Sequence, residues 1–471
     1  MNEPRKHDLI VIGAGPAGAH AAMAAAGCGL DVLLLDEQPA AGGQIWRRPS
    51  SSRVDNQPVR TQPDLAHGDA LRIALAASSV TCAFGHRVWS VSDRYRVDTL
   101  GPDGAAAFGA RQLVVAAGAH ERIIPFGGWT LPGVMGLAAA TILLKAEARL
   151  PGQKVVVAGR GPLLAAVAAG VIAKGGEVVA IVDRTPQREW LASVPALASQ
   201  PGQLKQGAAW MLAIALRRVP ILFGHRIQEA LGTDSVSRVV AEPIGGGARR
   251  LLDCDALVVG DGLVPGGDIA RLLRIAMRHD RRRGGWVPVV SDLFESDRAG
   301  LYCVGDGAGV RGAAMATISG EIAGLAVVAR LGRAFDAQRM SGLKQRWRKG
   351  QRFSDAVAEV MAPRPADVAD LRHDTVICRC EDVRLGEIDG ALAAGAVDIN
   401  QLKHFTRCGM GPCQGRMCGA IIEELLAARL EKTREAVGQW TGRPPLRPVS
   451  LGDLVGEFSY GDIPVPEPAP L

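Results

Sequence analysis

The sequence predicts an α/β chain with two nucleotide-binding units and a small helical, cysteine-rich module near its C-terminal end. Three observations carry this expectation. Between residues 8 and 36 a buried-strand run, a glycine loop, an alanine-rich helical segment and a second strand ending in an acid follow one another, the order of a βαβ unit in a parallel sheet. The same order returns at residues 154–183. Five of the nine cysteines fall between Cys378 and Cys418.

Composition narrows the function classes. Of 471 residues, 48% are apolar and 22% charged, enough to bury several cores and too apolar for disorder over most of the length. Aromatics are 4%, with three tyrosines, which argues against a base-stacking surface. The net charge of +6 is scattered apart from basic runs at 278–283 and 344–352, which suit a solvated face or an acidic partner better than a nucleic acid. An odd number of cysteines, clustered in a long chain, points to a metal or cluster site in a reducing compartment rather than a disulfide framework. Cytoplasm is the expected location. The basic residues Arg5 and Lys6 before an apolar run mimic a signal peptide, but glycines at defined spacing interrupt that run. No stretch reaches 18 uninterrupted apolar residues, so no membrane span is expected.

The first unit places the loop Gly13-Ala14-Gly15-Pro16-Ala17-Gly18 between strand and helix. The first glycine permits the tight turn, the second admits a pyrophosphate, and the third lets helix pack on strand. Free N–H groups and the dipole at the helix N-terminus favour the phosphates. Asp36, with Glu37 beside it, ends the second strand where an acid can hydrogen-bond a ribose diol. Farther on, Gly305-Asp306 closes a late strand before a loop and a helix starting near Ala313. In flavoproteins with two dinucleotide domains, which this order resembles, such an Asp meets the ribityl chain and the helix faces the pyrimidine end of the flavin. Gly42-Gly43-Gln44 and Ala116-Ala117-Gly118 occupy positions that line FAD there. The competing reading of Asp306 is an acid capping the following helix. FAD is the expected cofactor.

The second loop, Gly159-Arg160-Gly161-Pro162-Leu163-Leu164, has Leu164 in place of the third glycine. Asp183 lies at the ribose position and Arg184 follows it, as a partner for a 2′-phosphate or as a solvated cation. Three readings stand: weak NAD(P) use, an ATP- or ADP-type nucleotide held structurally, or a vestigial site.

In the cysteine module Cys378-Arg379-Cys380 forms a C-x-C pair, followed by Cys408, Cys413 and Cys418. Four such thiolates suit a 2Fe-2S cluster or zinc. The C-x-C opening, and a flavin on the same chain to make an electron relay, favour the cluster. An amphipathic helix is expected from 419 to about 434, its N-terminal dipole beside Cys418. Cys28, Cys82, Cys254 and Cys303 are isolated and read as buried structural residues. The tail from Thr441 is expected to be extended, wrapping a neighbour or staying loose.

Residues 8–46, 125–136 (PFGGWTLPGVMG) and 376–419 (VICRCEDV through TRCGMGPCQGRMCG) resemble the α subunits of opine oxidases, of dye-linked proline and hydroxyproline dehydrogenases, and the large subunit of hydrogen cyanide synthase. The likeness extends to the GRPPLRPVSLGDL tail. The cluster segment is also similar to the bacterioferritin-associated ferredoxin, where the position of Cys408 is not a cysteine. The resemblance implies Cys378, Cys380, Cys413 and Cys418 as cluster ligands, with Cys408 a spare. It implies a disulfide-reductase-like flavoprotein without the redox dithiol, and indeed no C-x-x-C or C-x₄-C pair lies near the flavin segments. The expected division is an FAD-binding domain in two parts (1–125 and 286–335), a second nucleotide-binding domain (126–285), a linker (336–370), a 2Fe-2S domain (371–430) and an extended tail (431–471). The implied function is that of an electron-relaying α subunit. Its implied partner is a D-amino-acid-oxidase-like flavoprotein β subunit that oxidises a secondary amine, of opine, D-hydroxyproline, proline or glycine type. An external electron acceptor is implied as well, and a small ferredoxin-like subunit is allowed. The alternative is a self-sufficient NAD(P)H-dependent reductase; a ferredoxin-like binding module is a third, weaker reading. No catalytic base is read from the sequence; His120 is as much an ordinary loop histidine as a neighbour of the flavin.

Overall fold

A computed structural model describes residues 6–50 and 63–455. Two parallel sheets organise it. The first runs, edge to edge, through Thr81–Phe84, Val32–Asp36, Lys6–Ile12 and Gly104–Val115, then turns antiparallel through Arg96–Gly101 and Arg87–Val91. The distant strand Leu301–Cys303 pairs in parallel with the end of Gly104–Val115, Leu301 opposite Leu113. Leu9, Ile10, Val11, Leu34, Leu113 and Val114 are fully buried, as parallel strands covered on both faces require.

The second sheet is all parallel: Ile221–Phe223, Glu177–Asp183, Lys154–Gly159, Ala256–Gly260 and Val134–Gly136. A three-stranded antiparallel sheet, His225–Leu231, Arg238–Pro243 and Arg250–Asp253, lies beside it. Between the two parallel sheets the strands Ala119–Glu121 and Leu263–Pro265 pair antiparallel, His120 opposite Val264.

Helices Pro16–Ala26 and Ala313–Arg330 cross almost backbone to backbone. A Cβ on Gly320 would lie 1.9 Å from the Ala17 carbonyl oxygen, and one on Gly324 would lie 2.4 Å from that of Ala21. Small residues at the crossing therefore bring both helix N-termini to the C-terminal edge of the first sheet. By length and hydropathy Ala313–Arg330 is long and apolar enough to cross a membrane, but 67% of it is buried inside the protein; it is the central core helix.

The segment expected as a linker holds a 25-residue helix, Ala337–Met361. Asp336 caps it by accepting the Arg339 N–H at 2.9 Å, and Pro363 follows its end, where it cannot continue the helix. The cysteine module builds its own core from Ile377, Leu385, Ile388, Ile399, Leu402, Ile421, Ile422, Leu425 and Leu426. Its last long helix stops earlier than the sequence pattern suggests: it spans Gly419–Arg429, Glu431 turns left-handed (φ 51°), and Arg434–Val437 is a separate turn. The stretch after Thr441 folds back on its own chain. Leu446 is buried in the core of the first sheet and its N–H donates to the Trp89 carbonyl at 2.7 Å. The PVPEPAP end expected as extended lies outside the described residues.

Candidate redox centre

The first glycine loop forms a cradle that side chains would fill. Gly13 takes φ +100°, and a Cβ there would lie 2.3 Å from the Ala116 carbonyl; one on Gly18 would lie 1.8 Å from the Gly13 carbonyl. Gly43 approaches Gly15 so closely that its Cβ would sit 3.0 Å from the Gly15 Cα. The helix Pro16–Ala26 begins at Gly15 with no side-chain cap and with Pro16 in its first turn, so its leading N–H groups are open to a phosphate. Gln44 and Ala117-Gly118 stand on the loops that flank this groove.

Asp36 is differently occupied from the ribose role expected of it. Its Oδ2 accepts the Ala14 N–H at 2.6 Å and its Oδ1 the Gln38 N–H at 2.7 Å, so it fastens the glycine loop; burial raises its pKa and these bonds oppose the rise. The neighbouring Glu37 is exposed and, among the described residues, its carboxylate lies 3.8 Å from Arg87, so it is the freer carboxylate for a diol. Asp306 spends Oδ1 on the N–H groups of Arg311 and Gly312, at 2.8 and 2.9 Å. It thereby shapes the loop before Ala313–Arg330, whose N-terminus at Gly312 carries no side-chain cap. Burial raises the Asp306 pKa as well. Asp306 thus holds the loop before that helix, and its Oδ2 has no hydrogen-bond partner among the described residues.

The second groove is filled by the protein itself. Gly159 takes φ +132° and Gly161 φ +100°, but a Cβ on Gly161 would lie 2.7 Å from Met361 Cγ. The Arg160 side chain is 2% exposed; it donates to the Ala362 carbonyl at 2.7 Å and to Asp367 at 3.0 Å. Arg184 reaches the same Asp367 oxygen at 3.2 Å and Asp261 at 3.6 Å. Asp183 accepts from the Thr185 N–H and from Trp190 Nε1, both at 2.8 Å, and burial pushes its pKa up to about 6. Pro162 stands at the N-cap position of the helix Leu163–Ala173 without a side-chain hydrogen bond. The charged groups that the sequence offers to a second nucleotide are therefore engaged within the protein, Arg184 by Asp367 and Asp261 and Asp183 by Thr185 and Trp190. Met361, Asp261 and Asp367 belong to no motif by which the sequence could announce them.

In the cysteine module the thiols of Cys378, Cys408 and Cys418 lie within 4.8 Å of one another, all three buried. Cys380 contacts the thiol and backbone N–H of Cys413 beside them. Cys408, a spare by resemblance, is thus a full member of the inner group. Hydrogen bonding from the neighbouring thiols of Cys408 and Cys418 holds the Cys378 thiol well below the usual thiol range, while the same contacts push the Cys418 thiol up. Cys418 stands at the N-terminus of Gly419–Arg429, where the helix dipole favours a negatively charged group in the pocket. The glycines between the cysteines have a packing reason: Cβ atoms on Gly409, Gly415 and Gly419 would lie 3.0, 2.5 and 2.7 Å from the Trp440 indole, and one on Gly411 2.3 Å from Cys380 Cβ. Trp440, 5% exposed, floors the pocket, and no motif in the sequence marks it as a site residue. The donor set suits a thiolate-ligated metal group. The nine cysteines are all free.

The comparisons with known proteins agree with this geometry. The pyridine nucleotide-disulphide oxidoreductase family profile matches residues 7–330, and the sarcosine oxidase A3 domain profile matches residues 373–457. The opine oxidase A-subunit of Agrobacterium tumefaciens is 34% identical over 95% of this chain and 91% of its own length. Hydrogen cyanide synthase subunit HcnB of Pseudomonas protegens is 30% identical over 93% of this chain and 96% of its own. The crystal structure of L-proline dehydrogenase from P. horikoshii shares the fold, with a TM-score of 0.69 at 20% identity over 96% of this chain and 81% of that one. The chain belongs to the pyridine nucleotide-disulphide oxidoreductase family and is a flavin-dependent oxidoreductase of the opine oxidase A-subunit type.

Proposed function

We propose that this chain is the α subunit of a heteromeric amine dehydrogenase, with FAD in the first groove and a 2Fe-2S cluster in the cysteine pocket. When bound, FAD supplies a two-electron acceptor and the cluster a one-electron acceptor. On this reading the amine C–N bond is oxidised to an imine on a flavoprotein β subunit, water hydrolyses the imine, and electrons leave to an external acceptor. The relatives that are themselves lettered subunits of oxidases and synthases support a partner chain. The reading places the complex in the reducing cytoplasm.

The chain's own residues bind and insulate. Gly13, Gly15 and Gly18 admit the pyrophosphate, the N-terminus of Pro16–Ala26 offers it N–H groups, and Glu37 takes the ribose. Asp306 and the N–H groups after Gly312 face the far end of the cofactor. Cys380 and Cys413 provide one pair of thiolates, and two of Cys378, Cys408 and Cys418 the other. Cys418 and Cys378 lie in the apolar core of the module, which excludes water and holds the charged centre in a low dielectric.

The single observation that carries this reading is the convergence of five thiols in a chain whose second nucleotide groove is occupied by its own linker. A reductase fed by NAD(P)H needs that groove open. The test is anaerobic addition of NADH or NADPH to the purified chain while flavin absorbance is followed, then of amine after co-purification with a β subunit. The proposal expects no bleaching by either nucleotide and bleaching by amine in the complex. Rapid bleaching by either nucleotide in the lone chain would overturn it.

A further inference from the structure

A cleft opens where three parts of the chain meet: the strands Leu263–Pro265 and Gly285–Pro288, the helix Gly419–Arg429 and the end of the linker at Pro363. It holds about 590 Å³ including its open mouth. Only a small part of that space is enclosed, which favours a small occupant. Its lining includes Pro363 of the linker and Gly415 and Gly419 of the cysteine module, but none of the cysteines and none of the residues of the first glycine loop.

Its polar lining is incomplete in a directed way. Arg122 is 5% exposed. Its Nη2 donates to the Gly284 carbonyl at 2.7 Å, and its buried Nη1 has no partner. Gln439 Oε1, also on the lining, is buried without a hydrogen bond. Trp286 Nε1 stands near the Glu423 carboxyl, which it helps to stabilise, yet it too is buried without closing a hydrogen bond. A buried polar atom left unpaired costs about 1–3 kcal/mol, so two donors and one acceptor unsatisfied around one cavity call for a common partner.

The charges point the same way. Arg434 is paired with Glu424, and Arg271 and Arg416 share Asp268. Arg122 has no carboxylate within salt-bridge distance among the described residues, and the cleft carries an excess of positive charge. His120 and His279 add none near neutral pH, since burial lowers each pKa to about 4. Glu423, 6% exposed, completes the wall with its pKa pushed up to about 7 by burial.

We propose that this cleft binds a small α-amino or α-imino acid, its carboxylate on Arg122 Nη1 and Trp286 Nε1 and its nitrogen toward Gln439 Oε1 and Glu423. A carboxylate is the planar acceptor that a buried guanidinium and an indole N–H recognise together. An amide oxygen and a carboxyl in the same cleft select a ligand that also donates. The site lies between His120, two residues beyond Gly118 of the flavin groove, and Gly419, next to Cys418. The inference needs neither cluster nor partner subunit, so it stands or falls apart from the function proposed above.

Isothermal titration of the purified full chain with glycine, L-proline and pyruvate tests it. Saturable binding of the two amino acids is expected, with pyruvate at least tenfold weaker. Gln439→Ala and Trp286→Phe, each at a half-buried position and checked for folding by circular dichroism, should weaken amino-acid binding about tenfold. Arg122→Gln, checked for folding by circular dichroism, should abolish it. Absence of binding by any of the three compounds, equal binding by pyruvate, or wild-type affinity in Gln439→Ala and Trp286→Phe together would overturn the proposal.

Discussion

Met361 occupies the space that a side chain on Gly161 would take, its Cγ 2.7 Å from the ideal Cβ position. The second glycine of the second loop therefore gives room to the chain's own linker where, in the dinucleotide motif, it gives room to a pyrophosphate. Asp367 completes the closure by accepting from two buried arginines. Removing one partner from a buried ion network leaves uncompensated charge, at a cost of about 3–5 kcal/mol. Asp367→Ala should thus lower the urea midpoint markedly, while Asp370→Ala, at an exposed carboxylate on Arg226, should shift it little. Equal, small shifts for both would show that the network does not hold the linker in place.

The five-thiol pocket divides into the pair Cys380 and Cys413 and the buried triad Cys378, Cys408 and Cys418. A 2Fe-2S cluster takes four cysteine ligands, so the pair has no reserve and the triad has one. Cys413→Ser should abolish the paramagnetic resonance signal of the reduced cluster and most of the bound iron, while flavin stays bound. Cys408→Ser should retain iron, and Cys418→Ser should retain it only if Cys408 steps in. The double substitution at Cys408 and Cys418 should lose it. Iron content near wild type in Cys413→Ser would sink the ligand assignment.

Gly320 and Ala17 set the distance between the two helices whose N-termini face the first groove. Gly320→Val would force branched carbons into a gap already 1.9 Å from backbone at the Cβ. Overpacking of this kind costs about 1–3 kcal/mol or more, and here it also separates Gly15 from Gly312. The expected result is a lower melting temperature together with loss of flavin on gel filtration. Retained flavin with unchanged melting would mean that the crossing tolerates more separation than its backbone contacts suggest.

Local order is legible in the sequence because it is written in adjacent residues. The glycine loops, the buried-strand runs and the late strand Leu301–Cys303 all follow from short patterns. What is not legible depends on contacts far apart in the chain. Asp36 and Asp183 sit where ribose acids belong, yet each satisfies nearby N–H groups, which no spacing rule reveals. Arg184 has the sequence context of a solvated cation or a phosphate partner, and meets Asp367 instead, 183 positions away. Cys408 reads as a spare through the resemblance, where the matching position is not a cysteine, and only the fold brings its sulfur beside Cys378 and Cys418. Trp440 looks like part of an irregular tail, and it is the surface against which three glycines of the cysteine module lie flat.

Glu121 offers a test of the joint between the two sheets through pH. Its Oε1 accepts the Ala138 N–H at 3.0 Å, beside the first turn of Leu137–Lys145, and burial pushes its pKa from 4.5 up to about 8. The folded chain therefore holds a proton on Glu121 that the unfolded chain has released across that interval. Where the native state binds more protons, stability falls as pH rises, so this residue lowers stability progressively from about pH 4.5 to about pH 8. Glu121→Gln keeps an acceptor for Ala138 and removes the proton. One pKa unit corresponds to about 1.4 kcal/mol, and a partly exposed carboxyl realises only a fraction of the full shift. The variant should match wild type near pH 4.5 and exceed it by about 1–2 kcal/mol near pH 8.5 in urea unfolding. A difference between the two that does not change with pH would show that Glu121 is already ionised in the fold, with its carboxylate satisfied at the helix N-terminus.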